Sequence, residues 1–169
     1  MAGPGIRFYE LSKVLSSVFY VTLSTPKKTD IETPGFKTLI YDLNNYKSIQ
    51  KAVENSDTIF IQGHLLYYFP LLRNFKGRII VDLYNPFNLE SLEMYRNEDT
   101  AERVRIDKNN LNLLNIQLSI GDFFICASEK QRDYWIGMLT ALGRINPFNY
   151  DSDNSFRKLI DVVPFGIPA

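Results

Sequence analysis

Residues 121–147 constrain the fold more than any other segment, because they combine a strand-length apolar run with signals for a helix start and a helix end. Residues 122–127 have the length and apolar composition of a buried strand. Ser128 stands three residues before Gln131, which is the spacing of a capping box, and Gly143 is typical of a residue that ends a helix. The segment therefore predicts a strand, a turn and a helix.

The same alternation continues along the rest of the chain. Further strands are predicted at residues 18–23, 38–41, 58–62, 78–83 and 161–163. Helices are predicted at residues 8–18, 46–53 and 65–75, after Asn85, and over residues 104–118, with loops at 27–34 and 146–155. Alternating strands and helices are typical of parallel sheets with crossover helices, so we predict a single Rossmann-like, doubly wound α/β domain.

Composition narrows the classes of function. Lys plus Arg and Asp plus Glu both number 19, so the net charge is zero, which argues against a nucleic-acid-binding protein. Cys126 is the only cysteine and lies in an apolar run, so we predict a buried, unreactive thiol. The sequence has no Cys and His cluster with metal-ligand spacing, and no apolar run reaches the ~18–20 residues of a membrane span. We therefore expect no metal site and a cytoplasmic location.

Four segments together resemble the amino-terminal domain of glycosyltransferase family 4 enzymes, especially those of bacterial surface-polysaccharide synthesis. Residues 1–11 resemble the glycine loop with the first helix of that domain, and residues 81–90 resemble an acidic strand end with its helix. Residues 121–147 resemble the middle of the domain, and residues 162–168 resemble the crossover into a second domain. The resemblance implies that residues 1–163 form the Rossmann-like acceptor-side half of a GT-B enzyme, and that residues 164–169 begin the interdomain linker.

The resemblance also implies a reaction and its partners. The family transfers a sugar from a nucleotide-sugar donor to a lipid-linked or polysaccharide acceptor and retains the anomeric configuration. It needs no metal for donor binding, and the resemblance implies no other cofactor. A lipid-linked acceptor implies peripheral contact with the inner face of the membrane.

Three candidate residues lie at the carboxyl ends of predicted strands, where open α/β sheets bind their ligands. His64, the only histidine, could bind a sugar hydroxyl or carry a proton, and the alternative is a loop histidine that bonds to backbone. Asp82 could take the proton of the acceptor or, alternatively, cap the next turn. Glu129 has no evident structural role in the sequence, so we expect it to contact ligand.

The remaining candidates are expected to bind substrate. Tyr84 and Asn85 suit sugar recognition through ring stacking and amide hydrogen bonds, although Asn85 also fits a helix cap. Gly3 and Gly5 would let the backbone approach a phosphate, and the alternative is a flexible terminus. Arg7 in the first helical turn opposes the helix dipole, so we expect an anionic ligand or a carboxylate beside it.

In this family a central strand precedes the glycine loop, and a second domain grips the donor. By resemblance we expect this chain to be about half of such an enzyme, without its first strand and inactive alone, with the donor held by another domain or chain. The strand at 18–23 would then border a gap, and its open edge would favour a homodimer. The alternative function is a non-catalytic α/β binding or interaction domain.

Overall fold

The structure, a computed structural model, describes residues 3–27 and 35–165. The described residues divide into two compact units, which lie within the ranges Met1–Ser56 with Tyr68–Asn74 and Asp57–Tyr67 with Phe75–Ala169.

The first unit contains a small parallel sheet. Its elements are α1 (Gly3–Leu15), β1 (Thr22–Thr25), β2 (Lys37–Ile40), α2 (Gln50–Glu54) and a 3-10 turn (Pro70–Asn74). Strands β1 and β2 pair in parallel, and α1 packs against β1. The rings of Tyr41 and Phe69 pack edge to face at 5.3 Å between centroids, and Phe69 is fully buried. Aromatic packing therefore joins the end of β2 to the segment around the 3-10 turn.

The second unit contains the larger sheet. Its elements are β3 (Thr58–Gln62), most of α3 (Leu65–Tyr68), β4 (Arg78–Asp82), α4 (Phe87–Met94), α5 (Thr100–Ile120), β5 (Phe123–Cys126), α6 (Glu129–Ala141), α7 (Pro147–Ser152) and β6 (Ile160–Val162). The four strands pair in the order β3-β4-β5-β6, and every pair is parallel. A parallel sheet flanked by helices confirms the Rossmann-like α/β prediction.

One row of paired residues forms the centre of the core. Successive side chains of a strand point to opposite faces, so residues that are paired across the sheet share a face. The residues Ile61, Val81, Phe124 and Ile160 are paired in this way and are almost completely buried. Helix α5 contacts β4, and α6 contacts β5 and β6. These helices contribute the fully buried side chains Leu114, Leu118, Trp135 and Leu139.

The sequence signals for the start and the end of α6 are confirmed. Ser128 precedes α6, and its hydroxyl accepts a hydrogen bond from the amide of Gln131 at 3.2 Å. Gly143 follows the end of α6 with a φ of 68°, the left-handed conformation that glycine adopts without strain. Asp99 caps α5 by accepting a bond from the amide of Glu102 at 3.0 Å. Short-range capping therefore fixes the start of both helices and the end of α6.

Two predicted segments are wrong. The strand expected at residues 18–23 begins only at Thr22, because residues 16–19 form a turn after α1 and leave Val18 and Phe19 largely exposed. β-branched and aromatic residues favour strands only where neighbours pack against them. The loop expected at residues 146–155 contains α7, because Asn146 caps that helix and Pro147 occupies its first position.

The face of α5 that is buried also differs from the face that the spacing of its apolar residues indicates. Leu114 is buried as expected, but Val104 and Leu111 are substantially exposed. Two amide side chains are buried instead, Asn110 at 7% exposure and Gln117 at 1%. Buried amides are costly unless they form hydrogen bonds, and both of these side chains form one with the turn after β3.

Candidate functional site

The carboxyl ends of β3, β4 and β5 form one edge of the larger sheet. Gln62 pairs with Asp82, and Asp82 pairs with Ile125, so the three strands end side by side, about 4.8 Å apart at each step. His64 lies two residues beyond Gln62, and Glu129 begins the helix that follows β5. These three strands are therefore neighbours with their carboxyl ends on one side, as expected for the predicted parallel sheet.

His64 lies in the turn between β3 and α3, and its side chain contacts two helices. Its Nε2 atom is 3.1 Å from Oδ1 of Asn110 in α5. The ring of Phe87, at the start of α4, lies 4.8 Å from the imidazole between centroids. His64 is itself exposed. The imidazole therefore contacts a buried amide side chain. The alternative considered from the sequence was a loop histidine that bonds to a backbone group.

The backbone of this turn is held by α5 as well. Gly63 has a φ of 57°, a left-handed conformation that suits glycine. The side-chain amide of Gln117 donates a hydrogen bond to the carbonyl oxygen of Gly63. Since Asn110 and Gln117 are seven residues apart, they lie on the same face of α5. This face therefore contacts both residues of the turn.

Asp82 is buried beneath the edge. Its exposure is 2%, and its Oδ1 atom accepts a hydrogen bond from the amide of Tyr84 at 3.1 Å. This contact is the turn-stabilising role that the sequence left open as an alternative. The carbonyl of Tyr84 accepts a bond from Nε2 of Gln131 at 3.0 Å. The segment after β4 is therefore tied to β4 itself and to the start of α6.

Tyr84 and Asn85 lie on that segment. The ring of Tyr84 stacks on Phe165 at 5.5 Å and 25° between planes. The interpretation of Asn85 as a helix cap is wrong, because α4 begins after Pro86 and has no side-chain cap. Within the described ranges, the side chain of Asn85 takes part in no recorded hydrogen bond. Its amide therefore has capacity for a ligand.

Glu129 forms an ion pair that the sequence did not indicate. Its carboxylate lies 2.7 Å from Arg157, which also pairs with Asp161 in β6. These two carboxylates raise the pKa of the Arg157 guanidinium. The side chains of Glu129 and Arg157 both keep about half of their surface exposed, so the pair contributes little to stability. The inference that Glu129 lacks a structural contact is wrong, because Arg157 lies 28 residues away in sequence.

The predicted glycine loop is wrong in conformation. Gly3 and Gly5 lie in the first turn of α1, and Pro4 between them fits a first helical turn. Arg7 is buried and has an interaction partner within the protein. All three residues belong to the first unit, whereas His64 and the strand ends of the larger sheet belong to the second. The candidate site at the strand ends of the larger sheet is therefore built from the second unit alone.

Four residues that contact the candidate site residues were not predicted from the sequence: Asn110, Gln117, Arg157 and Phe165. The sequence gives a weak signal for the first two, because amides seven residues apart on a core-facing helix require buried partners. Arg157 and Phe165 contact residues far away in sequence and therefore give no local signal.

Cys126 ends β5 and is completely buried, as predicted. Its Sγ atom lies 3.6 Å from the carbonyl oxygens of Ser128 and Asp161. Burial raises the pKa of the thiol from 9.0 to about 11. The thiol is therefore protonated and unreactive at neutral pH.

The raised pKa of Cys126 predicts a loss of stability at high pH. Well below pH 9 the thiol is protonated in both the folded and the unfolded chain, so its contribution is fully present. Between pH 9 and about 11 the unfolded chain releases this proton first, which lowers the free energy of unfolding by on the order of 2 kcal/mol. Urea unfolding at pH 8–11 should show this decline in the wild type and a smaller one in Cys126→Ala. Parallel profiles would contradict the assignment.

Comparison of the chain with protein-family models, with curated proteins and with solved structures gave no match. None of the helices in residues 3–27 and 35–165 combines the length and the apolarity needed to cross a membrane. In the same ranges, no three His, Cys, Asp or Glu side chains cluster closely enough to hold a metal ion.

Proposed function

We propose that this chain is the acceptor-binding half of a retaining glycosyltransferase that resembles family 4. In the proposed reaction a sugar passes from a nucleotide-sugar donor to a lipid-linked or polysaccharide acceptor, and the donor is held by another domain or chain. The observation that carries the proposal is the parallel arrangement of β3, β4 and β5, whose carboxyl ends adjoin. Strand β3 leads into His64, and β4 leads into Tyr84 and Asn85. This edge is where open α/β sheets bind ligands.

The chemistry of these side chains suits a sugar. An imidazole and a primary amide form directional hydrogen bonds with hydroxyl groups, and an aromatic ring packs against the apolar face of a pyranose. His64 is exposed, and the side-chain amide of Asn85 forms no hydrogen bond within the described residues. Under this proposal His64 and Asp82 are the acid–base groups, and Tyr84, Asn85 and Glu129 are the acceptor-binding groups.

The proposal extends to location and assembly. A lipid-linked acceptor would place the protein at the cytoplasmic face of a membrane as a peripheral protein. Transfer requires the donor and the acceptor to be held together, so the chain by itself is proposed to bind acceptor without turnover. The two-stranded sheet of the first unit presents edge strands, and pairing along such an edge is the proposed route to a homodimer.

One observation favours a second function, that of a non-catalytic α/β binding or interaction domain. Asp82 is almost fully buried and bonds to the amide of Tyr84, and Glu129 is paired with Arg157. A carboxylate that is engaged within the protein is less available to take a proton from an acceptor. A domain of this class would keep the edge as a binding surface and would not contribute a catalytic base.

Binding of simple glycosides tests the proposed function. Saturation-transfer NMR with methyl glycosides of common hexoses and N-acetylhexosamines should detect weak binding by the wild-type chain. His64→Ala and Asn85→Ala should each weaken that binding about tenfold, as expected for the loss of a hydrogen bond. The matched control is Asn112→Ala, which removes an exposed amide on α5. Absence of binding to every glycoside, or equal binding by all variants, would contradict the proposal.

A further inference from the structure

The contact between α5 and His64 determines which ring nitrogen carries the proton. Nε2 of His64 lies 3.1 Å from Oδ1 of Asn110. With the amide of Asn110 oriented so that its oxygen faces the ring, the oxygen accepts a hydrogen bond and Nε2 donates it. A neutral imidazole has one N–H group, and this contact therefore selects the form in which Nε2 is protonated and Nδ1 has a lone pair.

The contact between Asn110 and His64 is one of several that hold this histidine in place. Asn110 is only 7% exposed on a helix face that also buries three leucines and Gln117, and its amide is directed at an exposed histidine. Gln117, on the same face, holds the backbone of the preceding residue, Gly63. The ring of Phe87 lies against the imidazole. The peptide group between Gly63 and His64, the imidazole ring and one ring nitrogen are each contacted by a different side chain.

Nδ1, the other ring nitrogen, is left for a ligand. Within residues 3–27 and 35–165, no hydrogen bond at Nδ1 is recorded. We propose that Asn110 is a positioning residue that fixes His64 in the Nε2-protonated form, so that Nδ1 accepts a hydrogen bond from a hydroxyl group of the ligand. The second half of this inference rests on the proposed function, since it deepens the acceptor site described above.

The assignment discriminates between ligand classes. A lone pair on Nδ1 accepts from the hydroxyl of a sugar, but it repels the oxygens of a phosphate or a carboxylate, which need a donor. If the proton were on Nδ1 instead, neutral His64 would favour an anionic group. Under this proposal the amide of Asn110 therefore determines whether neutral His64 binds a hydroxyl group or an anionic group.

The protonated nitrogen can be read directly by NMR. His64 is the only histidine, so the imidazole nitrogens give one assignable set of ¹⁵N signals. At a pH where the ring is neutral, long-range ¹H–¹⁵N spectra should show Nε2 as the N–H nitrogen and Nδ1 as the lone-pair nitrogen. In Asn110→Leu, which keeps the size of the side chain and removes the acceptor, the two nitrogen shifts should move towards each other. A protonated Nδ1 in the wild type would overturn the inference.

Two further variants separate positioning from general stability. Asn110→Asp keeps an acceptor oxygen at this place and should restore the wild-type pattern of nitrogen shifts. Asn109→Leu changes the neighbouring, exposed amide and should leave the pattern unaltered. If Asn110→Leu does not fold, the wild-type and Asn110→Asp spectra still decide the protonated nitrogen. Unchanged nitrogen shifts in folded Asn110→Leu would also overturn the inference.

A ligand titration completes the test. A methyl glycoside should shift the Nδ1 signal of the wild type, inorganic phosphate should not, and Asn110→Leu should weaken glycoside binding about tenfold. A shift with phosphate alone would overturn the assignment of a hydroxyl ligand. If Nε2 is protonated through Asn110 but no glycoside binds, the positioning role stands and the proposed glycosyltransferase function fails. The two failures are therefore distinguishable.

Discussion

Replacing Trp135 by alanine should lower the free energy of unfolding by about 3–5 kcal/mol, the range for deleting a buried aromatic side chain. Trp135 is fully buried in α6, the helix that packs against β5 and β6. Deleting the indole would leave a cavity between that helix and the sheet. The loss is a large part of the roughly 5–15 kcal/mol that stabilises a typical domain, so urea unfolding should show a much lower midpoint.

Trp135→Phe should behave differently. The indole Nε1 is buried, and the described residues provide it with no hydrogen-bond partner. An unsatisfied buried donor costs about 1–3 kcal/mol, so its removal offsets part of the packing lost with the smaller ring. We expect the phenylalanine variant to lie within about 1.5 kcal/mol of the wild type.

The control for both variants is Phe148→Ala, since Phe148 is exposed at the start of α7. Its free energy of unfolding should change by less than about 0.5 kcal/mol. If Trp135→Ala were as mild as this control, the packing described for α6 would be incorrect. A Trp135→Phe variant as unstable as Trp135→Ala would show instead that the indole nitrogen has a strong partner.

Local signals predicted the larger sheet well, because they act over a few residues. The strand at 58–62 has the bounds that its apolar run indicated. Ser128 and Gln131 identify the start of α6 because the cap and its amide are three residues apart. Once each strand and helix is placed, the crossover rule brings the carboxyl ends to one edge.

Errors arose where contacts distant in sequence, or a competing local signal, overrode the pattern. The run at 18–23 looks like a strand by composition, yet most of it forms the exit from α1. Val104 fits a helical apolar spacing but is substantially exposed, because the packed face of α5 is rotated towards Asn110 and Gln117. At Asn85, a capping residue followed by proline gave a plausible helix start one position too early.

The candidate site was predictable in position but not in its contacts. The place of His64 follows from the end of β3, which the sequence marks with Gly63. Its partner Asn110 is 46 residues away, and Arg157 is 28 residues from Glu129. No spacing rule reaches that far, so the contact of His64 with Asn110 and the ion pair of Glu129 with Arg157 required the structure.

Arg144 also contacts residues that are distant in sequence, and we expect these contacts to stabilise the fold. Its guanidinium donates to the carbonyl oxygens of Leu118 at 2.9 Å, Ser119 at 2.6 Å and Gly121 at 2.8 Å. The last carbonyls of a helix have no partner within the helix, and the negative end of the helix dipole favours a cation there. The guanidinium also lies 5.8 Å from the ring centroid of Phe124. Arg144 therefore closes the end of α5 and covers the start of β5.

Arg144→Ala should lower the free energy of unfolding by about 2–3 kcal/mol, because three carbonyl groups lose a charged donor at once. Arg144→Lys should recover less than half of this loss, since one ammonium group lacks the planar fork that reaches several acceptors. Hydrogen exchange should localise the effect, with faster exchange of the amide of Gly121, which bonds to the carbonyl of Gln117 in the last turn of α5.

The control for Arg144 is Arg105→Ala. Arg105 carries the same charge but forms an exposed ion pair with Glu102 three residues away on α5. Exposed pairs of this type contribute about 0–1 kcal/mol, so the control should lie close to the wild type. If Arg144→Ala and Arg105→Ala had equal effects, the loss would reflect general charge and not the capping of α5. Full recovery by Arg144→Lys would show that a single point charge is enough at the end of this helix.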